Sequence, residues 1–355
     1  MSITDKHIHA ILNLHDCISL ILKQYDSDED NGFKSILIQA KIENPWFTEE
    51  NVKTALINWS RALAPLEVEK WVSMYSGKLK NISSIKTIGV VNAGNIPFVG
   101  LHDLLCVLLC DFNYTGKNAT GDTFLLPFIS SLLIESEPSL REKIKYVQRL
   151  EQMDAVIATG NNNSSRYFEY YFGKYPHVIR KNRNGVGVLT GNESNEQLNK
   201  LGFDIFTYFG LGCRSVSKLY VPEGYDFKLF FESIYSFNSS MSHSKYMNNF
   251  DYYNSILLLK QIPFLQNGFL IIRKEKHIAS PVAVLHFEEY KSQNELEKNL
   301  ESKIEEIQCI ATIENYNFNS KSLSRLKVDF GKTQSPSLWD YADGVDIVEF
   351  LLSKS

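Results

Sequence analysis

The sequence has little of what marks several protein classes. It has no excess of positive charge: 37 Lys and Arg stand against 41 Asp and Glu, a net charge of −4. No overall basic field is therefore present to hold a nucleic acid or an anionic membrane. No apolar run approaches the ~20 residues that a membrane span needs. The opening MSITDKHIHA lacks the cationic start and apolar core of a secretory signal. Cysteine is sparse, with five residues at 17, 106, 110, 213 and 309, and their spacing matches neither a disulfide framework nor a zinc site. A reducing, cytoplasmic setting is expected. The eight histidines show no metal-ligand spacing, so no metal is expected, and His7, His9, His277 and His286 are read as surface or strand residues. No Ser-His-Asp order, internal repeat or low-complexity tract is legible. What remains is an ordinary globular composition, 44% apolar and 22% charged, over 355 residues, enough for about two domains.

The first eighty residues have helical periodicity. His9 to Leu22 carries apolar residues at helical spacing, and Thr48 precedes EENVKTALINWSRAL as a cap. The acidic DSDED at 26–30 reads as a solvated loop. From Ser84 the texture changes to strands alternating with helices, which implies parallel βαβ units. SSIKTIGVVN, YTGKN, MDAVIATG, HVIRK and GVGVLTG read as strands. VGLHDLLCVLLC, TFLLPFISSLLIE, REKIKYVQRLEQM and NNNSSRYFEYYF read as helices. In a second set, RSVSKLYVP, FLIIRK and SPVAVLHFEEY are strands, and NEQLNKLGFDIFTYF, YDFKLFFESIYSF, YMNNFDYYNSILLLKQI and NELEKNLESKIEEI are helices, with Cys309 beside a strand. The tail FGKTQSPSLWDYADGVDIVEFLL is a loop followed by a short helix. The Gly/Asn-rich stretch 181–194 is a candidate domain crossing.

Few segments carry chemistry. Cys106 and Cys110 lie four apart on an apolar helix and read as small core residues, as do Cys17 and Cys309. Cys213 follows YFGLG, and two glycines just ahead of it allow unusual backbone angles and close approach of a substrate. Such a cysteine is either a nucleophile activated by nearby amides or a partly buried turn residue. In NAGNIPFVG (92–100) a strand enters a tight turn with Asn92 and Asn95 available at its top, where an amide can donate to an oxyanion or simply serve its own turn. TGNNNSSR (159–166) follows a strand and opens a helix, a place for a pyrophosphate or for an ordinary capped turn. The Gly-x-Gly-x-x-Gly fingerprint is absent. TGKNATGD (115–122) is not a P-loop, because the upstream glycine is missing and Asn118 stands where Ser or Thr is required. Its Lys117 suits a ribose or phosphate, or a plain surface position. FTYF (206–209) suits an acyl tunnel or, more simply, core.

Taken together, GVVNAGNIPFVGLHDLL, YTGKNATGD, DAVIATGNNNSSRYFEYYF, FTYFGLGCRSVSKLYVP, SPVAVLHFEEY and TQSPSLWDYADGVD resemble the fatty acyl-CoA reductases of bacterial luminescence and their non-luminous relatives, within the aldehyde dehydrogenase superfamily. The resemblance runs from about residue 84 onward. It implies an α/β fold with a Rossmann-type dinucleotide-binding domain, an α/β catalytic domain and a helical N-terminus. The implied division is 1–83 helical and packed on the core, 84–190 dinucleotide-binding, 191–330 catalytic, and 331–355 returning to the cofactor domain or to an oligomer interface. It implies Cys213 as nucleophile, Asn95 at the oxyanion, and Lys117, Thr120, Thr159, Gly160 and Asn161 at the cofactor. It also implies NADPH as cofactor with NADH as the alternative, acyl-CoA or an acyl-carrier protein as donor, and a homo-oligomer.

Three departures from the superfamily pattern bear on activity. The glutamate that activates water in oxidative members is replaced by Arg180, with no carboxylate near it in sequence, which favours a reductase. A second glutamate, at the nicotinamide ribose, is replaced by His277. The ribose-binding carboxylate three residues after the lysine is replaced by Thr120, which removes repulsion toward a 2′-phosphate and so suits NADPH. The alternatives are an aldehyde-oxidising dehydrogenase, a cysteine acyltransferase or thioesterase, and a non-catalytic relative.

Overall fold

The computed structural model describes residues 3–27, 32–79, 84, 86–160 and 162–354, and divides the chain into two compact units, Met1–Asn182 with Pro336–Ser355 and Arg183–Ser335. Most of the acidic run 26–30 lies outside the described residues, as does Asn161. The crossing at Asn182–Arg183 puts the GVGVL strand with the second unit. Among the described residues no helix is long and apolar enough to cross a membrane.

The first unit begins with helices α1 (Ile3–Asp26), α2 (Phe33–Glu43), α3 (Glu49–Ala62), α4 (Pro65–Ser73) and α5 (Ser76–Leu79). Thr48 caps α3 as its sequence implies, its side-chain oxygen accepting from Asn51 N at 3.2 Å. Then follow β1 (Thr87–Val91), α6 (Leu101–Leu109), β2 (Asn113–Lys117), α7 (Leu125–Ser136), β3 (Ile144–Tyr146), β4 (Ala155–Thr159), α8 (Asn162–Phe172) and β5 (His177–Arg180). The strands form a five-stranded, wholly parallel sheet in the order β3-β2-β1-β4-β5. Continuous apolar runs suit strands covered on both faces, and β4 is buried over Ala155–Ala158. The chain leaves β1 toward β2 on one side and returns to β4 on the other. The strand order therefore reverses at the carboxyl ends of β1 and β4, where open α/β sheets take their ligands.

One expected helix is absent. REKIKYVQRLEQM (141–153) instead contributes β3, whose Ile144, Lys145 and Tyr146 pair with Tyr114, Thr115 and Gly116 of β2. Edge pairing, with Tyr146 OH and Ser130 Oγ 2.7 Å apart, overrides a weak helical periodicity. His7, read as a surface or strand residue, is fully buried in α1 with its Nδ1 3.1 Å from the Leu108 carbonyl.

The second unit runs β6 (Asn184–Val188), α9 (Asn195–Phe206), β7 (Val216–Pro222), α10 (Lys228–Ser233), α11 (Ser244–Leu259), β8 (Leu265–Gln266), β9 (Ile271–Lys274), β10 (Val284–Tyr290), α12 (Gln293–Ser302), β11 (Ile307–Thr312), α13 (Lys321–Leu326) and β12 (Lys327–Asp329). Its seven strands lie in the order β12-β11-β6-β7-β10-β9-β8, parallel except for the β8–β9 pair. Ser194 and Gln197 close a capping box on α9. The helix expected through residue 307 stops at Ser302. IQCIAT forms the fully buried β11, so Cys309 lies within a strand rather than beside one.

The segment from Pro336 belongs to the first unit and ends in α14 (Ile347–Leu352). Its Tyr341 hydroxyl accepts from Trp71 Nε1 at 2.8 Å, Tyr75 OH donates to Asp346 Oδ2 at 2.6 Å, and the Leu338 carbonyl accepts from His102 Nε2 at 2.8 Å.

Candidate active site

In the first unit the expected cofactor residues fall on the carboxyl edge of the parallel sheet. Lys117 is the last residue of β2, in register with Val91, and its carbonyl accepts from Asn92 N at 2.9 Å. Thr159 is the last residue of β4 and Gly160 follows it. Gly160 has a packing reason: a Cβ there would lie 2.8 Å from the Phe168 ring and 2.9 Å from Ser164 Cβ. Only a glycine lets the start of α8 approach the strand this closely. Gly94 does the same for two loops, since its Cβ would lie 2.8 Å from Ala119 Cβ. The NAGN turn and the NATGD loop thus meet at the ends of β1 and β2. Thr120 and Asn95 are exposed.

Asn92 is not available at the top of its turn. It is buried, and its Nδ2 donates to Tyr114 OH at 2.7 Å and to Asn118 Oδ1 at 2.8 Å. It ties the end of β1 to β2 and to the loop after it. In that loop Asp122 is also buried, its Oδ1 has no hydrogen-bond partner among the described residues, and burial pushes its carboxyl up to about 7. No feature of the sequence pattern distinguishes it from a solvated loop aspartate.

Arg180, at the end of β5, is buried and paired. Its Nη1 and Nη2 donate to the two carboxylate oxygens of Asp103 on α6, and Nη1 also reaches Thr159 Oγ1 at 3.3 Å. A carboxylate is therefore near this position after all, brought by the fold from α6. Both of its oxygens are engaged by the guanidinium, so it is not disposed to take a proton from water.

In the second unit Cys213 lies exposed in the turn between α9 and β7. The approach to it is strained. Tyr208 and Phe209 have φ of 56° and Gly210 of 76°, so consecutive residues sit in the left-handed region. The aromatic run before it is mainly core. Phe206 stacks on Phe237 with centroids 5.1 Å apart, Tyr208 is buried, and the Phe209 ring lies 4.4 Å from His243. Ser215 N donates to Gly212 O at 3.0 Å, and Gly212 N donates to Ser215 Oγ at 3.2 Å.

Asp204 is buried on α9 and accepts from Gly331 N, Thr333 N and Thr333 Oγ1. Burial raises its carboxyl to about 6 against the pull of those bonds. Its signal was an acid three residues after Leu201 on the apolar face of an amphipathic helix. Asp103, a lone charge in LHDLLCVLLC, gave the same signal.

His277 is exposed, and its carbonyl accepts from the His286 ring at 2.9 Å. The neighbouring Lys276 carbonyl accepts from Lys218 Nζ at 2.8 Å and from Lys303 Nζ at 2.7 Å. Lys218 is wholly buried, and burial lowers it to about 8 although Glu288 pairs with it at 2.6 Å. Among the described residues no group of three or more His, Cys, Asp or Glu is placed to hold a metal.

The sequence matches no known family model and no curated protein. The structure does match solved ones, and the fold it shares with them is that of aldehyde dehydrogenases. Methylmalonate-semialdehyde dehydrogenase from Oceanimonas doudoroffii superposes with a TM-score of 0.68 at 11% identity, over 99% of this chain and 84% of that one. Aldehyde dehydrogenase 21 from Physcomitrella patens, solved with the reaction product succinate, gives 0.64 at 12% identity over 100% and 84%. An aldehyde dehydrogenase from Bacillus cereus, solved with NAD+, gives 0.61 at 10% over 92% and 74%. The chain thus has an aldehyde-dehydrogenase-like fold, with parallel sheets and a helical N-terminus.

Proposed function

We propose that this protein is an NADPH-dependent acyl-CoA reductase that makes an aldehyde through an acyl-cysteine on Cys213. The observation that carries the reading is an exposed cysteine on a strained turn in an aldehyde-dehydrogenase-like fold; the resemblance adds Arg180, paired with Asp103, where it implies the superfamily's water-activating glutamate. Without that base the acyl-enzyme lacks a route to the acid.

The residues of the first unit fit a dinucleotide. The strand order reverses between β1 and β4, α8 starts just beyond Gly160, and the glycine leaves no side chain between strand and helix. Lys117, Thr120, Thr159, Gly160 and Asn161 would hold it. When bound, the nicotinamide supplies a hydride to the acyl carbon.

The chain's own residues do the rest. The Cys213 thiolate attacks the thioester carbonyl, forming a carbon–sulfur bond. Asn95 and the Cys213 amide stabilise the oxyanion, and its collapse expels the CoA thiolate, which takes a proton from solvent. After reduction the carbonyl re-forms, the bond to Cys213 breaks, and the aldehyde leaves a regenerated thiolate. The overall balance is acyl-CoA, NADPH and a proton to aldehyde, NADP+ and CoA. A carrier-protein thioester is the other donor, and a homo-oligomer is the expected assembly.

The test is to incubate the protein with a panel of acyl-CoAs and NADPH, then to follow NADPH oxidation and the mass of the Cys213 peptide. Aldehyde formation with an acyl adduct on that peptide is the expected result. An adduct without NADPH oxidation makes the protein an acyltransferase or thioesterase, and acid formed from aldehyde and NADP+ makes it an oxidising dehydrogenase. No adduct and no turnover leaves a non-catalytic relative.

A further inference from the structure

The turn that carries Cys213 is held by a segment more than a hundred residues away. Two bonds reach it from the irregular stretch 331–335: Arg214 Nε donates to the Thr333 carbonyl at 2.7 Å, and Gln334 Nε2 donates to Ser215 Oγ at 3.2 Å. These residues flank Cys213 on its carboxyl side. The stretch is a run of turns, in which Lys332 N donates to Asp329 O and Ser335 N to Lys332 O, both at 3.1 Å, and Asp204 anchors it to α9. Its Oδ2 accepts from Gly331 N at 2.7 Å, and its Oδ1 accepts from Thr333 N at 3.0 Å and Thr333 Oγ1 at 2.8 Å. Gly331 makes this possible with φ +81, where a Cβ would be strained and would press on Lys200 of α9 at 3.3 Å. Asp204 and Thr333 are 1% and 0% exposed, so water does not compete for these bonds.

An acid buried on the apolar face of α9 costs folding energy, and an aliphatic residue there would avoid the cost. What a carboxylate alone provides is a pair of acceptors for backbone amides two residues apart, Gly331 and Thr333, which fixes Thr333 and leaves its carbonyl accepting from Arg214. We propose that Asp204 is a positioning residue for Cys213, acting through Thr333 and Arg214 to hold the 212–215 turn in its reactive shape. This rests on Cys213 being the nucleophile.

The test compares the full-length wild type with D204N, D204A, T333V and Q334A. Two readouts are used: the rate of iodoacetamide alkylation at the Cys213 peptide, and kcat and KM for acyl-CoA reduction. D204N keeps the shape but turns one acceptor into a donor facing an amide. It is expected to slow both alkylation and kcat about tenfold with KM nearly unchanged, as a small misplacement of a reacting group does. T333V removes only the hydroxyl and is expected to fall between D204N and wild type. Wild-type alkylation in folded D204N overturns the proposal, whether or not melting temperature or kcat falls, because the role is then merely structural. If D204A does not fold, D204N and Q334A still decide the matter. Alkylation needs neither acyl-CoA nor NADPH, so a wild type that forms no acyl adduct defeats the proposed reaction while the alkylation rates still report on the relay.

Discussion

Arg180 grips Asp103 at both ends of its guanidinium, Nη1 to Oδ2 at 2.6 Å and Nη2 to Oδ1 at 2.7 Å, across 77 positions of sequence. Both side chains are buried, so either one alone is a stranded charge. Asp103→Ala is expected to destabilise the protein by about 3–5 kcal/mol, whereas replacing both partners by apolar residues is expected to cost far less. Urea denaturation of the two single variants and the double variant checks this. Equal losses in all three would show that the pairing is not what the fold depends on.

Cys213 is exposed, so its removal costs little packing. Cys213→Ala is expected to lie within about 0.5 kcal/mol of wild-type stability. It is also expected to lose the acyl adduct and all NADPH oxidation. Paired calorimetry and turnover assays check both, and retained turnover assigns the chemistry to another group.

Asp122 gives a pH dependence whose sign is fixed. Burial holds its folded pKa near 7, above the ordinary carboxylate value, so ionisation opposes folding. Its contribution is fully present below the unfolded pKa and is lost as pH rises through about 7. Asp122→Asn is therefore expected to be more stable than wild type at pH 8, by roughly 1–3 kcal/mol, with the gap closing toward pH 5. Thermal melts across that range measure it, and a gap that widens on acidification reverses the assignment.

Gly160→Ala places a methyl carbon 2.8 Å from the Phe168 ring, and α8 must shift. The expected cost is about 1–3 kcal/mol of stability, as for overpacking elsewhere. A weaker dinucleotide affinity should accompany it. Titration by quenching of intrinsic fluorescence reads the second effect, and unchanged affinity places the nucleotide away from this turn.

Thr120→Asp places a carboxylate at the position proposed to face the cofactor's 2′-phosphate. It should lower the NADPH-to-NADH preference about tenfold, equivalent to ~1.4 kcal/mol. Steady-state kcat/KM with each cofactor checks this, and an unchanged ratio moves cofactor selection to another loop.

Much of the fold could be read because the two periodicities are clean where burial is complete. β1 and β4 are largely apolar runs between turn residues, and α6 and α7 are mostly apolar, with Asp103 the exception buried in α6. What escaped was short and decided by partners: β3, β8 and β12 exist because a neighbouring strand pairs with them. At the candidate site, residues that stand beside a glycine turn, such as Cys213 and Gly160, stood out in the sequence as candidates. Asp103, Asp204 and Thr333 did not, because each works on a residue dozens of positions away. The only local sign was an acid on an apolar helix face.

The first unit is discontinuous, with residues 336–355 supplying α14 and the Tyr341 contacts to Trp71 and Tyr75. During synthesis, then, residues 183–335 leave the ribosome with every strand they need while the earlier-made half still lacks a piece. The part translated first has its five strands complete by Arg180, but the face of α6 that α14 packs against stays uncovered until translation has passed α14.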